Sequence, residues 1–199
     1  TEHLFDFSQK FLDNEFPHCI EMARAFVQPK YQSAAGGRKA LFALDNLWDG
    51  IGGLIATDPT VKYLSGKVTI YSTSPEMSRK AMVYYLDMSF GDREGLITSK
   101  NPETCTPEQA AFFKEMFTGA DYKENYAILN NYVKSLGDSI PPFIHLYIGL
   151  SPTMKTFGTT FDPDFGDCYD TAMIITTDDI YPDKYKRYVE SYEKCKVRK

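Results

Sequence analysis

The chain has 199 residues, 43% of them hydrophobic and 25% charged, and a formal net charge of −5; this is the make-up of one globular domain with a core of its own. No apolar run approaches the roughly 20 residues of a membrane-spanning helix, and no basic, aromatic-interleaved surface signals nucleic acid as a partner. Residues 184–199 hold seven Lys/Arg against two Glu, a net +5, so residues 1–183 carry −10.

The basic tail over 183–199 reads either as a solvated helix end or as a segment drawn to an anionic membrane surface or an acidic partner. Cys19, Cys105, Cys168 and Cys195 show no CxxC spacing and no secretory signal ahead of them, which predicts reduced thiols in a cytoplasm and no structural zinc. His3, His18 and His145 have no spacing that assembles a metal site. No metal is expected.

In chain order, "CIEMARAFV" at 19–27 reads as a buried strand, although Glu, Met, Ala and Arg favour helix. Two charges interrupt it, Glu21 and Arg24. On a regular strand residues three apart face opposite ways, so Glu21 joins Cys19 and Ala23 while Arg24 joins Met22 and Phe26, and only a bulge unites the two charges. One reading is a structural ion pair. The other is chemistry: a carboxylate in a partly dry cleft has its pKa raised toward the working range, where it can serve as a general base.

The loop "QPKYQSAAGGRK", with Gln32, Gly36, Gly37 and Arg38, leads into a helix N-terminus, which suits an anion as well as it suits an ordinary flexible loop. Leu41, Leu44, Trp48, Ile51 and Ile55 then recur at steps of three and four, the stripe of an amphipathic helix. Gly50, Gly52 and Gly53 inside it predict close backbone contact or an early end.

"GKVTIYS" at 66–72 predicts a short strand, and Ser74 with Pro75 an N-cap and first-turn proline for a helix carrying Met77, Ala81, Tyr84, Tyr85 and Met88. Thr106 and Gln109, then Asp121 and Glu124, have capping-box spacing, with Gly119 and Gly137 as closing residues. "IPPFIHLYIGL" predicts a short helix opened by its prolines. "KTFGTTF" and "TAMIITT" predict a hairpin around "DPDFGD". There Asp162 and Asp164 are candidates for binding a cationic group, and also supply plain turn chemistry. A basic helix from about 183 closes the chain. The order of elements gives an α/β fold with a mixed sheet and helices on both faces.

Three segments carry a family resemblance: "EMARAFVQPKYQ", "IPPFIHLYIGL" and "FDPDFGD", with "LDNLWDGIGG" as a fourth. Over residues 17–180 the chain resembles the hemolysin-like, ornithine-lipid-synthase type of acyl-carrier-protein-dependent N-acyltransferases in the GNAT superfamily. These are similar to acyl-homoserine-lactone synthases, which also carry a Glu-x-x-Arg strand. The resemblance implies a GNAT-like acyl-CoA N-acyltransferase fold over 1–199, a single domain forming the C-terminal portion of that fold and lacking its N-terminal strands. The edge of the Glu21 strand would then be open to pair with a second copy.

The implied reaction moves a 3-hydroxyacyl chain from the phosphopantetheine thioester of acyl carrier protein, or from acyl-CoA, to the amine of an amino acid of glycine or ornithine type, in aminolipid synthesis. Its implied place is the cytoplasm, at or near the inner membrane surface. Glu21 would be the base and Arg24 a positioning or carrier-facing charge. Gln32, Gly36, Gly37 and Arg38 would face the pantetheine phosphate, although their spacing departs from the usual Gln/Arg-x-x-Gly-x-Gly/Ala. Asp162 and Asp164 would meet the acceptor. The alternative is a non-catalytic module that binds an acyl chain or its carrier, a fragment of a larger acyltransferase.

Overall fold

The structure, a computed structural model, describes residues 1–23, 28–29 and 40–192. Its main sheet has four strands: β2 (Cys19–Met22), β3 (Tyr63–Ile70), β5 (Lys155–Asp162) and β6 (Cys168–Thr176), in the order β2-β3-β6-β5. β2 and β3 run parallel, with Glu21 opposite Ser65, so the chain must cross over between them. Helix α2 (Ala40–Thr57) lies on that crossover. β6 is antiparallel to both its neighbours, and β5–β6 is the expected hairpin. Its turn is a 3-10 segment, Pro163–Phe165, closed by Gly166 at φ 71°.

A second, two-stranded sheet pairs β1 (Phe5–Phe7) with β4 (Ile97–Ser99). Helix α1 (Gln9–Asn14) follows β1, capped by Ser8, whose Oγ accepts from the Phe11 N–H at 3.2 Å. None of these three elements is signalled by the sequence patterns above. The remaining helices are α3 (Glu76–Phe90), α4 (Pro107–Met116), α5 (Tyr122–Ser135), α6 (Pro142–Ile148) and α7 (Pro182–Tyr188). No described helix is long and apolar enough to cross a membrane.

Local chemistry sets most boundaries. At α4 the capping box is complete: the Gln109 N–H donates to Thr106 Oγ1 at 3.2 Å, and the Thr106 N–H donates to Gln109 Oε1 at 3.0 Å. Asp121 accepts from the Lys123 and Glu124 N–H groups, while the Glu124 carboxylate reaches Ala120 N–H. α5 ends in a Schellman motif at Gly137, φ 75°, with Asp138 N–H on the Val133 carbonyl and Gly137 N–H on that of Lys134.

Several expectations need correction. The strand expected to lie buried over 19–27 is described only as Cys19–Met22, half-buried with Glu21 exposed, and residues 24–27 lie outside the described residues. Ser74 does not cap α3: the helix begins after Pro75, without a side-chain cap. α4 stops at Met116 rather than near Gly119, whose N–H donates instead to Asn125 Oδ1 at 2.9 Å and so serves the start of α5. β3 begins at Tyr63 and β6 at Cys168, each three residues earlier than the patterns mark.

The two faces of the main sheet are covered differently. One face presents Leu64, Val68, Ile70, Met173 and Ile175 to the larger core, shared with Trp48, Met82, Tyr85, Leu86, Leu129 and Ile144 from the helices. Of the predicted α2 stripe, Trp48 is buried here and Ile51 and Ile55 pack beside it, while the side chains of Leu41 and Leu44 lie outside those described. Gly52 lets α2 lie against the backbone of Tyr188, where a Cβ would run into the carbonyl oxygen. The other face presents Phe157, Ala172 and Ile174 to a smaller cluster with Leu4, Phe5, Phe11, Leu96 and Ile97. β1, β4 and α1 cover only part of that face.

β5 bulges between Thr156 and Thr159, with Gly158 at φ 84°. Its outer edge is covered by loops, the Asp92 N–H donating to the Thr156 carbonyl at 2.8 Å and the Glu103 N–H to that of Thr159 at 2.7 Å. Among the described residues, β2 is the other edge of the sheet.

Candidate functional site

Alternation along β2 and β3 decides which side chains share the partly covered face. Cys19 and Glu21 lie on it from β2, and their partners Tyr63 and Ser65, followed by Lys67, lie on it from β3. Between this face and the N-terminal elements runs a cleft of about 540 Å³ including its open mouth. Phe7, Phe11 and Phe16 form one wall; Ile97, Phe157 and Ala172 line it elsewhere, and Glu21, Ser65 and Lys67 give its floor a polar strip. An apolar groove with a few convergent polar groups is the usual form of a small-molecule site.

Glu21 is exposed to this cleft and accepts a hydrogen bond from Thr1 Oγ1. Beside it, burial pushes the Cys19 thiol up in pKa, partly offset by hydrogen bonding with Ser65. That keeps Cys19 a neutral thiol.

Behind the polar strip lies a charged cluster. Lys67 Nζ is 2.6 Å from Asp170 Oδ2 and 3.8 Å from Asp162 Oδ2. Both carboxylates are buried, each 1% exposed. Thr69 Oγ1 donates to the second oxygen of Asp170 at 2.7 Å, and the Asp164 N–H donates to Asp162 Oδ1 at 3.1 Å. Buried carboxylates need such partners, because an unpaired one would cost several kcal/mol. The neighbouring Cys168 thiol is pushed up to about 11 by burial and then by the Asp170 and Asp162 charges. His3 Nε2 approaches Asp162 at 3.6 Å. His3, Asp162 and Asp164 offer ligand atoms within 4.8 Å of one another, but the Lys67 ammonium already supplies a cation to the Asp162 oxygen they would share.

The structure therefore treats the sequence candidates unequally. Glu21 reaches the cleft. Asp162 stands behind Lys67, its carboxylate bonded into the turn, and Asp164 lies exposed on that turn. Neither lines the cleft. Arg24, Gln32, Gly36, Gly37 and Arg38 fall outside the described residues. Lys67, Ser65 and Asp170 were not singled out by sequence reasoning. The available signal was the alternation in "SGKVTIY", which puts Ser65, Lys67 and Thr69 together on one face of β3.

Comparison with known proteins gives two relatives. The chain is 42% identical over 194 residues to a protein of Phocaeicola vulgatus named Glycine N(alpha)-acyltransferase, covering 98% of this chain and 59% of that protein. It is 42% identical over 195 residues to a protein of Bacteroides thetaiotaomicron with the same name, covering 96% and 57%. The chain is thus homologous to part of each, and spans under three fifths of the length of these curated relatives. No family model matches it, and no solved structure does.

Proposed function

We propose that this chain carries the acyl-transfer site of an N-acyltransferase acting on the amine of a small amino acid, glycine in the first instance. The observation that carries the reading is Glu21, a carboxylate at the floor of a cleft with phenylalanine walls, in a chain homologous to part of two proteins named for this reaction. The apolar walls suit an acyl chain, whose burial contributes about 0.8 kcal/mol per CH₂. The polar strip suits the acceptor.

The acceptor's ammonium gives one proton to Glu21, directly or through a water, and the freed nitrogen lone pair forms a bond to the thioester carbonyl carbon. Collapse of the tetrahedral adduct breaks the carbon–sulfur bond, and the nitrogen's second proton leaves with or after the thiolate. The products are the amide and a free thiol. Glu21 returns its proton to solvent.

The finer reading is a GNAT-type fold, supported by the parallel β2–β3 pair joined through α2 and the β5–β6 hairpin beside it. In it the donor is a 3-hydroxyacyl chain on the phosphopantetheine of acyl carrier protein, the product is an aminolipid precursor, and Gln32, Gly36, Gly37 and Arg38 meet the donor phosphate while Arg24 faces the carrier.

Glu21→Gln in the full-length protein tests the base. With an acyl thioester and glycine, kcat is expected to fall about 10²–10⁴-fold, the usual contribution of general-base catalysis, with the melting temperature unchanged. A variant that keeps wild-type kcat removes Glu21 from this role. A chain and carrier that bind without any turnover would move the protein to the class of binding modules.

A further inference from the structure

We propose that Lys67 binds the carboxylate of the amino-acid acceptor, with Asp170 as the residue that positions it. The inference rests on the N-acyltransferase reading and names the group that recognises the acceptor's other end.

An amino acid offers the site a positive amine and a negative carboxylate. Glu21 answers the first. The second would enter a cleft whose floor is flanked by Glu21, Asp162 and Asp170, and would be repelled there unless a cation met it. Lys67 is the only side-chain cation lining the cleft among the described residues. Its side chain is 24% exposed, neither sealed nor freely solvated.

The spacing fits. Glu21 is opposite Ser65, and Lys67 is the next residue on the same face of β3. Two residues along a strand and one strand across put their Cα atoms roughly 8 Å apart. A glycine backbone with one hydrogen bond at each end bridges a gap of that order.

The donors are also there. An ammonium has three N–H groups. Asp170 Oδ2 takes one at 2.6 Å, while Asp162 Oδ2 at 3.8 Å is beyond hydrogen-bond reach. Asp170 is itself held by Thr69 Oγ1 on its other oxygen, so the ammonium is fixed on a braced carboxylate rather than on a free side chain.

The test uses the full-length protein, wild type beside Lys67→Met and Lys67→Arg, with glycine and glycinamide, which has the amine and lacks the carboxylate. Two readouts are taken: KM and kcat for each acceptor with an acyl thioester donor, and saturation-transfer NMR of each acceptor without donor. For wild type, glycine is expected to bind and react well ahead of glycinamide. In Lys67→Met the KM for glycine should rise about 10–100-fold, the worth of one charge-assisted hydrogen bond, with kcat changed far less, so that the preference over glycinamide collapses. Lys67→Arg should restore part of it. If Lys67→Met does not fold, Lys67→Met/Asp170→Asn, which removes the stranded partner charge, takes its place.

A folded Lys67→Met variant that keeps the glycine preference overturns the inference, as does a wild type that binds both acceptors equally or neither. Glycine binding that depends on Lys67, without formation of an N-acyl product, would uphold the inference and sink the acyl-transfer reading instead.

Discussion

The two faces of the main sheet are built from the same four strands and do opposite things. One is sealed by α2, α3, α5 and α6: Leu64, Val68, Ile70 and Ile175 alternate along their strands and none is more than 2% exposed. The other is roofed only in part by β1, β4 and α1, and along its open stretch the strands carry Glu21, Ser65 and Lys67 with Asp170 behind. Charged and hydroxyl side chains on a sheet face weaken a core, so their presence marks the face whose purpose is not packing. Substitutions on the sealed face should therefore cost stability, and substitutions on the open face should cost chemistry.

The largest expected effect is on the open face, the 10²–10⁴-fold loss of kcat in Glu21→Gln described above, with stability retained. Its mirror is Ile175→Ala on the sealed face. That truncation should remove about 2–5 kcal/mol of stability, measured by urea denaturation, and leave the acceptor preference of whatever fraction folds unchanged. A change in acceptor preference would mean that the faces are not separable.

Gly52→Ala comes next. The added Cβ would drive α2 and the Tyr188 backbone apart, at about 1–3 kcal/mol as for other overpacked sites; a neutral result would show that α7 shifts freely. The buried thiol of Cys168 gives a pH test on the open face. With a folded pKa raised to about 11 against about 8.5 unfolded, its contribution is intact below pH 8.5. It is lost as pH rises through the folded value, because the unfolded chain releases the proton first. Stability should fall by about 1–2 kcal/mol between pH 8 and 10, and Cys168→Ala should flatten that slope. The smallest effect is at the α4 cap, where Thr106→Ala should cost about 1 kcal/mol.

Legibility followed the range of the interactions. The caps at Thr106 and Asp121 and the Schellman glycine at Gly137 were readable because each is settled within six residues, and the α2 stripe because its period is local. β1, β4 and α1 were not. Phe5–Phe7 and Ile97–Ser99 are three residues each, too short to show a period, and they exist because a partner about ninety residues away pairs with them. The site divided in the same way. Glu21 stood out as a charge in an apolar run. Lys67 did not, because a lysine on an alternating strand reads as solvated, and what distinguishes it is a carboxylate 103 positions later that arrives only when β6 pairs with β3. The Asp162 turn chemistry was visible; its burial behind Lys67 was not.

The most direct test of the account is the fate of labelled glycine in cells expressing the full-length protein, wild type beside Glu21→Gln, in a host that makes no aminolipids. The account predicts an N-acylated product carrying the glycine nitrogen, found by mass spectrometry with wild type and lost or reduced at least 10²-fold with Glu21→Gln at equal protein level. Equal amounts of that product from both would contradict it.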